Sequence, residues 1–152
     1  MKHLKLIFSI IAISLFAGCD MPEHEIKKYP VITSLENTLW HSYNKYDNMY
    51  FDIMYETDSG WMKCYTDAER KEEVSHDTFT YTFTPADNEI DAIIDLTFSD
   101  GRMYGGILIP KGNVQVNHKE VYMIQLYEVD ADHNILYDPN GNVKSTILMW
   151  KE

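Results

Sequence analysis

Hydrophobic and polar positions divide this chain into three regimes. Residues 6–17 (LIFSIIAISLFA) form an apolar run without a charge. Residues 20–34 (DMPEHEIKKYPVITS) mix charges with two prolines and show no period. From Leu35 onward, short runs rich in Tyr, Ile, Val, Phe and Thr are separated by polar turns, several containing Gly. Apolar and polar residues that alternate one by one predict a strand with a single buried face, because successive side chains point to opposite sides of the pleat. The clearest case is 89–99. There Ile90, Ala92, Ile94, Leu96 and Phe98 share one face, while Asp91, Asp95 and Thr97 share the other. The same pattern predicts eight strands: 38–44, 48–56, 61–66, 76–84, 89–99, 102–109, 120–129 and 143–150.

The punctuation supports that division. Asp58-Ser59-Gly60 and Asp100-Gly101 are tight-turn sequences. Pro85 and Pro110 are expected to end strands, since proline has no amide proton for a ladder. Gly105-Gly106 inside the sixth strand is expected to mark a bulge or a sharp bend. The charged stretch 67–75 reads as one helical turn or a loop. Residues 111–119 read as a polar connection turning at Gly112-Asn113. Residues 130–142 read as a loop containing the turn Asp138-Pro139-Asn140-Gly141. Regularly spaced strands with tight turns imply an all-β antiparallel meander, hence a barrel or a sandwich.

The apolar run has its own explanation. Lys2 and Lys5 precede it, and the small pair Ala17-Gly18 follows it directly before Cys19. A predominantly apolar run of twelve residues is too short for a mature span of the ~30 Å hydrocarbon core, which takes ~20. Leu15-Phe16-Ala17-Gly18-Cys19-Asp20 resembles the cleavage and lipidation box of bacterial lipoproteins, with Phe16 where Leu is commoner. The resemblance implies a signal peptide over 1–18 and a lipidated Cys19 as the new first residue. Residues 19–34 then form a tether and 35–152 the folded domain. Two or three acyl chains on Cys19 hold a protein firmly where one does not. The expected location is the bacterial cell envelope, with the outer membrane favoured and the domain outside the cytoplasm.

Charge and cysteine count narrow the partners. Losing Lys2 and Lys5 leaves 11 basic residues against 24 acidic ones, a net charge of −13 over 134 residues. Such a surface disfavours nucleic acid and anionic headgroups. With lipid on Cys19, Cys64 has no intrachain partner and reads as a buried structural thiol in a strand.

Chemistry-bearing constellations are few. Asp130-Ala131-Asp132-His133-Asn134 begins like a calcium loop, but Ile135 and Gly141 occupy places where that loop needs Gly and Glu. Asp91 and Asp95 lie about 13 Å apart along a strand at ~3.3 Å per residue, too far for a glycosidase pair. No histidine pair has metal-ligand spacing, and neither a nucleophile elbow nor a phosphate-binding Gly loop occurs. No catalytic residue, metal or cofactor is expected.

Ser34-Leu35-Glu36-Asn37-Thr38-Leu39-Trp40 resembles the opening strand of lipocalin-like barrels, where a Trp plugs one end; the family's Gly two places earlier is Thr38 here. Together with the lipidation box and the eight-strand meander, the chain looks like the small lipocalin-like lipoproteins of Gram-negative bacteria. The resemblance implies a single eight-stranded antiparallel barrel with an interior pocket. Trp40, Tyr50, Tyr55, Trp61, Tyr81, Tyr104 and Tyr122 are candidate lining residues by strand position and chemistry, since Tyr and Trp join an apolar body to a polar tip. Two functions follow as expectations. The barrel binds a small apolar or amphipathic ligand, or it is a filled scaffold that contacts another envelope protein or inhibits an enzyme.

Overall fold

The computed structural model describes residues 29–87 and 90–152; the leader, Cys19 and the first part of the tether lie outside the described residues. Eight strands follow in chain order: β1 Thr38–Asn44, β2 Met49–Tyr55, β3 Ser59–Tyr65, β4 Glu73–Thr84, β5 Ala92–Phe98, β6 Met103–Val116, β7 Lys119–Val129 and β8 Thr146–Lys151. Each pairs antiparallel with the next, and β8 returns to β1, so the sheet is a closed meander barrel. Of the barrel and the sandwich that the pattern allowed, the chain forms the barrel, consistent with the lipocalin-like fold that the resemblance implied. No helix occurs among the described residues.

Period-two alternation puts one residue set inside. Trp40, Ile53, Tyr55, Phe79, Ala92, Ile94, Leu96, Phe98, Tyr104, Leu108, Ile124, Leu126 and Met149 form a continuous buried core. Cross-strand pairs tie it together, among them Trp40 with Ile53 and Ile124 with Met149. Edge-to-face contacts link Phe79 to Tyr55, Phe79 to Phe98, and Phe98 to Tyr104. This arrangement aligns the positive ring edges with negative ring faces.

Four details depart from the sequence expectation. Of the two readings of residues 67–75 the loop holds, but only as far as Glu72, because β4 begins at Glu73, three residues before its expected start. Asp67 accepts backbone amides of Lys71 and Glu72, holding a tight loop that feeds directly into β4 at Glu73. Pro110 does not end β6. The register shifts between Ile109 and Val114, and Pro110 sits in that irregularity, where no ladder proton is required. The expected connection over 111–119 is instead a continuation of the β6–β7 hairpin, with Val114 opposite Val121. Its turn is Asn117-His118, both at positive φ (50° and 65°), as a two-residue turn of the primed type demands. Finally, no register shift occurs at Gly105-Gly106, which pair regularly with Tyr127 and Leu126. Gly106 is there for close approach, since a Cβ on it would lie 1.9 Å from the Gln125 carbonyl oxygen.

The two barrel ends differ. At one, residues 29–37 fold under the strands. Leu35 is fully buried beneath Trp40 in the core cluster, with Ile32 packed alongside. The Trp40 indole donates to Thr38 Oγ1 at 2.9 Å, and the Thr38 hydroxyl donates to the Leu35 carbonyl. Thr38 thus supplies the acceptor that the buried indole needs. The extended β6–β7 arm grips the incoming chain at this end. Tyr29 donates to Glu120, its ring lies under Lys111 with Nζ 5.3 Å from the centroid, and Tyr122 donates to the Pro30 carbonyl at 2.7 Å.

Candidate functional site

The other end is open. A cavity of about 580 Å³ enters the barrel there, within the size range of small-molecule pockets. Phe51, Met62, Tyr104 and Ile147 form its apolar floor. These are inward positions of β2, β3, β6 and β8 in their mouth-proximal halves. Ser42, Asn44, Lys45, Arg102 and Ser145 supply the polar rim.

The cavity owes its position to an incomplete seam. β1 and β8 pair at His41 and Trp150 alone, whereas β7 and β8 pair from Tyr122 with Lys151 to Tyr127 with Thr146. Continuing the β1–β8 register toward the mouth would set Tyr43 opposite Leu148 and Lys45 opposite Thr146. Those residues instead line the cavity from its two sides. The mouth therefore opens partly through the barrel wall.

Polar groups around the cavity are partnered in particular ways. Tyr104 donates to Ser145 Oγ at 3.1 Å. The Arg102 guanidinium donates through Nε to Asp100 at 2.6 Å and lies 5.0 Å from the Phe98 ring centroid. The bond to Asp100 holds the guanidinium pKa above its usual value. Glu128 is buried behind Tyr104, its cross-strand partner, and receives Lys144 Nζ at 2.6 Å.

The candidate aromatics separate into three groups. Trp40, Tyr55 and Tyr81 belong to the filled half. Tyr55 is fully buried, donates to Met149 Sδ at 3.3 Å, and has its phenol pKa driven up by burial. Tyr81 donates to the carbonyl of Glu56 at 2.7 Å and helps close the Trp40 end. Tyr104 lines the mouth cavity, while Tyr122 lines a smaller cleft of about 190 Å³ beside Tyr29, Pro30 and Leu108. Tyr50 and Trp61 stand on the outer wall, because the inward positions of their strands are Phe51 and Met62. Tyr50 stacks on Tyr43 at 4.7 Å, and Trp61 contacts His76 at 6.1 Å. Phe51, Met62 and Ile147 fall outside a criterion of Tyr and Trp; their alternation with the outward residues of β2, β3 and β8 is the signal that marks them.

A further concavity of about 600 Å³ lies on the outside of β5–β7. Ile93, Ile107, Gly105, Tyr127 and Val129 form it, with Ile135 and His133 of the following loop above. His133 Nδ1 stands 3.4 Å from Asp95 at its lip.

The Asp130–Asn134 segment is a self-capped turn. Asp130 accepts the amides of Asp132 and Asn134 and the Asn134 side chain, which lowers its pKa. Asp138 repeats the arrangement with Asn140 and Asn142 eight residues later. These carboxylates are spent on their own backbone. Among the described residues, no group of three or more His, Cys, Asp or Glu converges as a metal site would require. Cys64 is buried, and burial pushes its thiol pKa up. No protein-family model, curated protein or solved structure matches the chain.

Proposed function

We propose that this protein is a lipid-anchored component of a bacterial cell envelope, with the outer membrane favoured, whose barrel binds a small apolar or amphipathic molecule. The observation that carries the binding reading is the mouth cavity. It combines an apolar floor of Phe51, Met62, Tyr104 and Ile147 with a polar rim, at a volume of about 580 Å³. A barrel serving only as a scaffold has no reason to leave one half unfilled, since an empty apolar lining forfeits packing contacts. The other half is packed to closure around Trp40 and Tyr55.

The anchoring reading rests on Cys19 directly after Ala17-Gly18. It agrees with the geometry of the entering chain. Tyr29 to Ile32 meet the barrel at its closed end, opposite the mouth. An anchor at Cys19 therefore leaves the mouth free to face the aqueous side.

Native mass spectrometry of the full chain, isolated from its host in mild detergent, tests the binding. A co-purifying mass that disappears in a Met62→Trp variant is the expected result. An apo mass that does not shift on incubation with envelope extracts rejects it.

A second reading has its own support. The outer groove over Ile93, Ile107 and Ile135 exposes apolar side chains that a monomer in water leaves uncovered. Contact with another envelope protein would cover it. A photo-crosslinker replacing Ile107 should then capture a protein in intact cells, and capture of lipid or water alone rejects that contact.

A further inference from the structure

The rim of the mouth cavity differs in charge from the rest of the molecule. The chain carries 24 acidic residues against 13 basic ones. Yet the charged residues lining the cavity are Lys45 and Arg102, both cations. They approach from different elements, Lys45 from the turn after β1 and Arg102 from the turn between β5 and β6. Of the nearby carboxylates, Asp47 is not among the lining residues but accepts the side-chain amide of the rim residue Asn44 at 2.8 Å. Asp100 sits on the Nε edge of Arg102. Glu128 is occupied by Lys144. Asp77 on β4 is the cross-strand partner of the floor residue Met62 and lies near Cys64, and is not among the lining residues. Beneath the two cations lie Phe51, Met62, Tyr104 and Ile147, with no charged group among them.

We infer that the ligand of this cavity is a single-chain amphiphile with an anionic headgroup, a carboxylate or a phosphate or sulfate monoester. The inference rests on the binding reading above and adds to it the sign and position of the head. The tail lies against the Phe51–Met62–Ile147 floor, where removing apolar surface from water supplies most of the affinity. The head stays at the rim between Lys45 and Arg102, where a charge remains partly hydrated and need not be buried. The open β1–β8 seam lets an extended chain enter from the side without threading through the mouth. The surrounding acidic surface repels anions at long range, so the preference arises at contact and salt weakens it only modestly. A site relying on the overall field of this chain would choose cations instead.

Photo-labelling of the full chain in washed membranes distinguishes the outcomes. Three probes share one diazirine-bearing alkyl chain and differ in the head: carboxylate, primary alcohol and trimethylammonium. Labelled residues are mapped by mass spectrometry. The carboxylate probe is expected to label the floor about fivefold or more over the trimethylammonium probe. The Lys45→Gln/Arg102→Gln variant should bring that ratio near one, as loss of two partly exposed charge contacts predicts. Both residues lie at the surface, and melting of the variant verifies that it folds. Equal labelling by all three probes overturns the anionic head and leaves the binding reading standing. Absence of floor labelling by any probe overturns both. A ratio unchanged in the double variant overturns the roles of Lys45 and Arg102.

Discussion

Gly106→Ala offers the sharpest test of the barrel geometry, because its neighbour Gly105 serves as an internal control. A methyl on Gly106 would sit 1.9 Å from the Gln125 carbonyl oxygen and 2.9 Å from Leu126 Cα. Carbon and oxygen ordinarily approach to about 3.3 Å. The shortfall exceeds 1 Å, and the obstacle is backbone held in the β6–β7 ladder, opposite Gly106 itself. Overpacking a core usually costs about 1–3 kcal/mol because side chains yield. Here β6 must part locally from β7, adding ladder bonds at about 1 kcal/mol each. The expected loss is about 3 kcal/mol or more. At roughly 3–5 °C per kcal/mol for a domain of this size, that lowers the melting midpoint by about 10 °C or prevents folding. A methyl on Gly105 meets only Asp95 Oδ1 at 3.0 Å and Val129 methyls at 3.8 Å, a side chain that can turn aside and an ordinary contact. Gly105→Ala also restricts the unfolded chain, so its net effect should stay within about 1 kcal/mol. Thermal and urea unfolding of both variants measure the contrast. Equal midpoints for the two, or a Gly106→Ala protein as stable as the parent, would refute the close approach.

Three further outcomes follow from the same structure. Asp67, Asp100, Asp130 and Asp138 each have a pKa lowered chiefly by backbone amides. Their stabilising effect is therefore full above the unfolded carboxylate value of about 3.9 and is lost as pH falls through the lower folded values. Melting midpoints should decline below about pH 4, less steeply in an Asp130→Asn/Asp138→Asn variant; parallel curves would remove those two groups from the account. In a Cys19→Ala protein, Cys64 should react with a thiol reagent only as the barrel unfolds, because burial both raises its pKa and blocks access. Rapid reaction of the native protein would contradict that. Cells fed a fatty-acid probe should label the wild-type chain and not Cys19→Ala, and an unlabelled wild type would reject the anchor.

Strand number, order and inward faces were legible in the sequence because each follows from local alternation. Ala92, Ile94, Leu96 and Phe98 show this directly, being four alternate residues that all reach the core. Features set by pairing across distant strands were not legible. Nothing around Pro110 announces that β7 tolerates a register shift there and carries the hairpin on to Asn117-His118. The cavity arises where β1 and β8, more than a hundred residues apart, fail to zip, and no local pattern encodes a missing pairing. The aromatic criterion also mixed two roles. Trp40 and Tyr55 fill the barrel, Tyr50 and Trp61 decorate its outside, and of the seven candidates only Tyr104 reaches the mouth.

The grip of the β6–β7 arm on Tyr29 and Pro30 acquires a mechanical meaning once the chain hangs from an anchor. A pull transmitted along the tether would otherwise peel β1 first, and β1 has full support from β2 on one side but a single pairing with β8 on the other. Tyr29 on Glu120, its ring against Lys111, and Tyr122 on the Pro30 carbonyl meet that load earlier. They would pass it to the β6–β7 hairpin, the longest of the barrel. Under the proposed anchoring at Cys19, the arm would serve as strain relief, taking load before it reaches the single-pairing seam between β1 and β8.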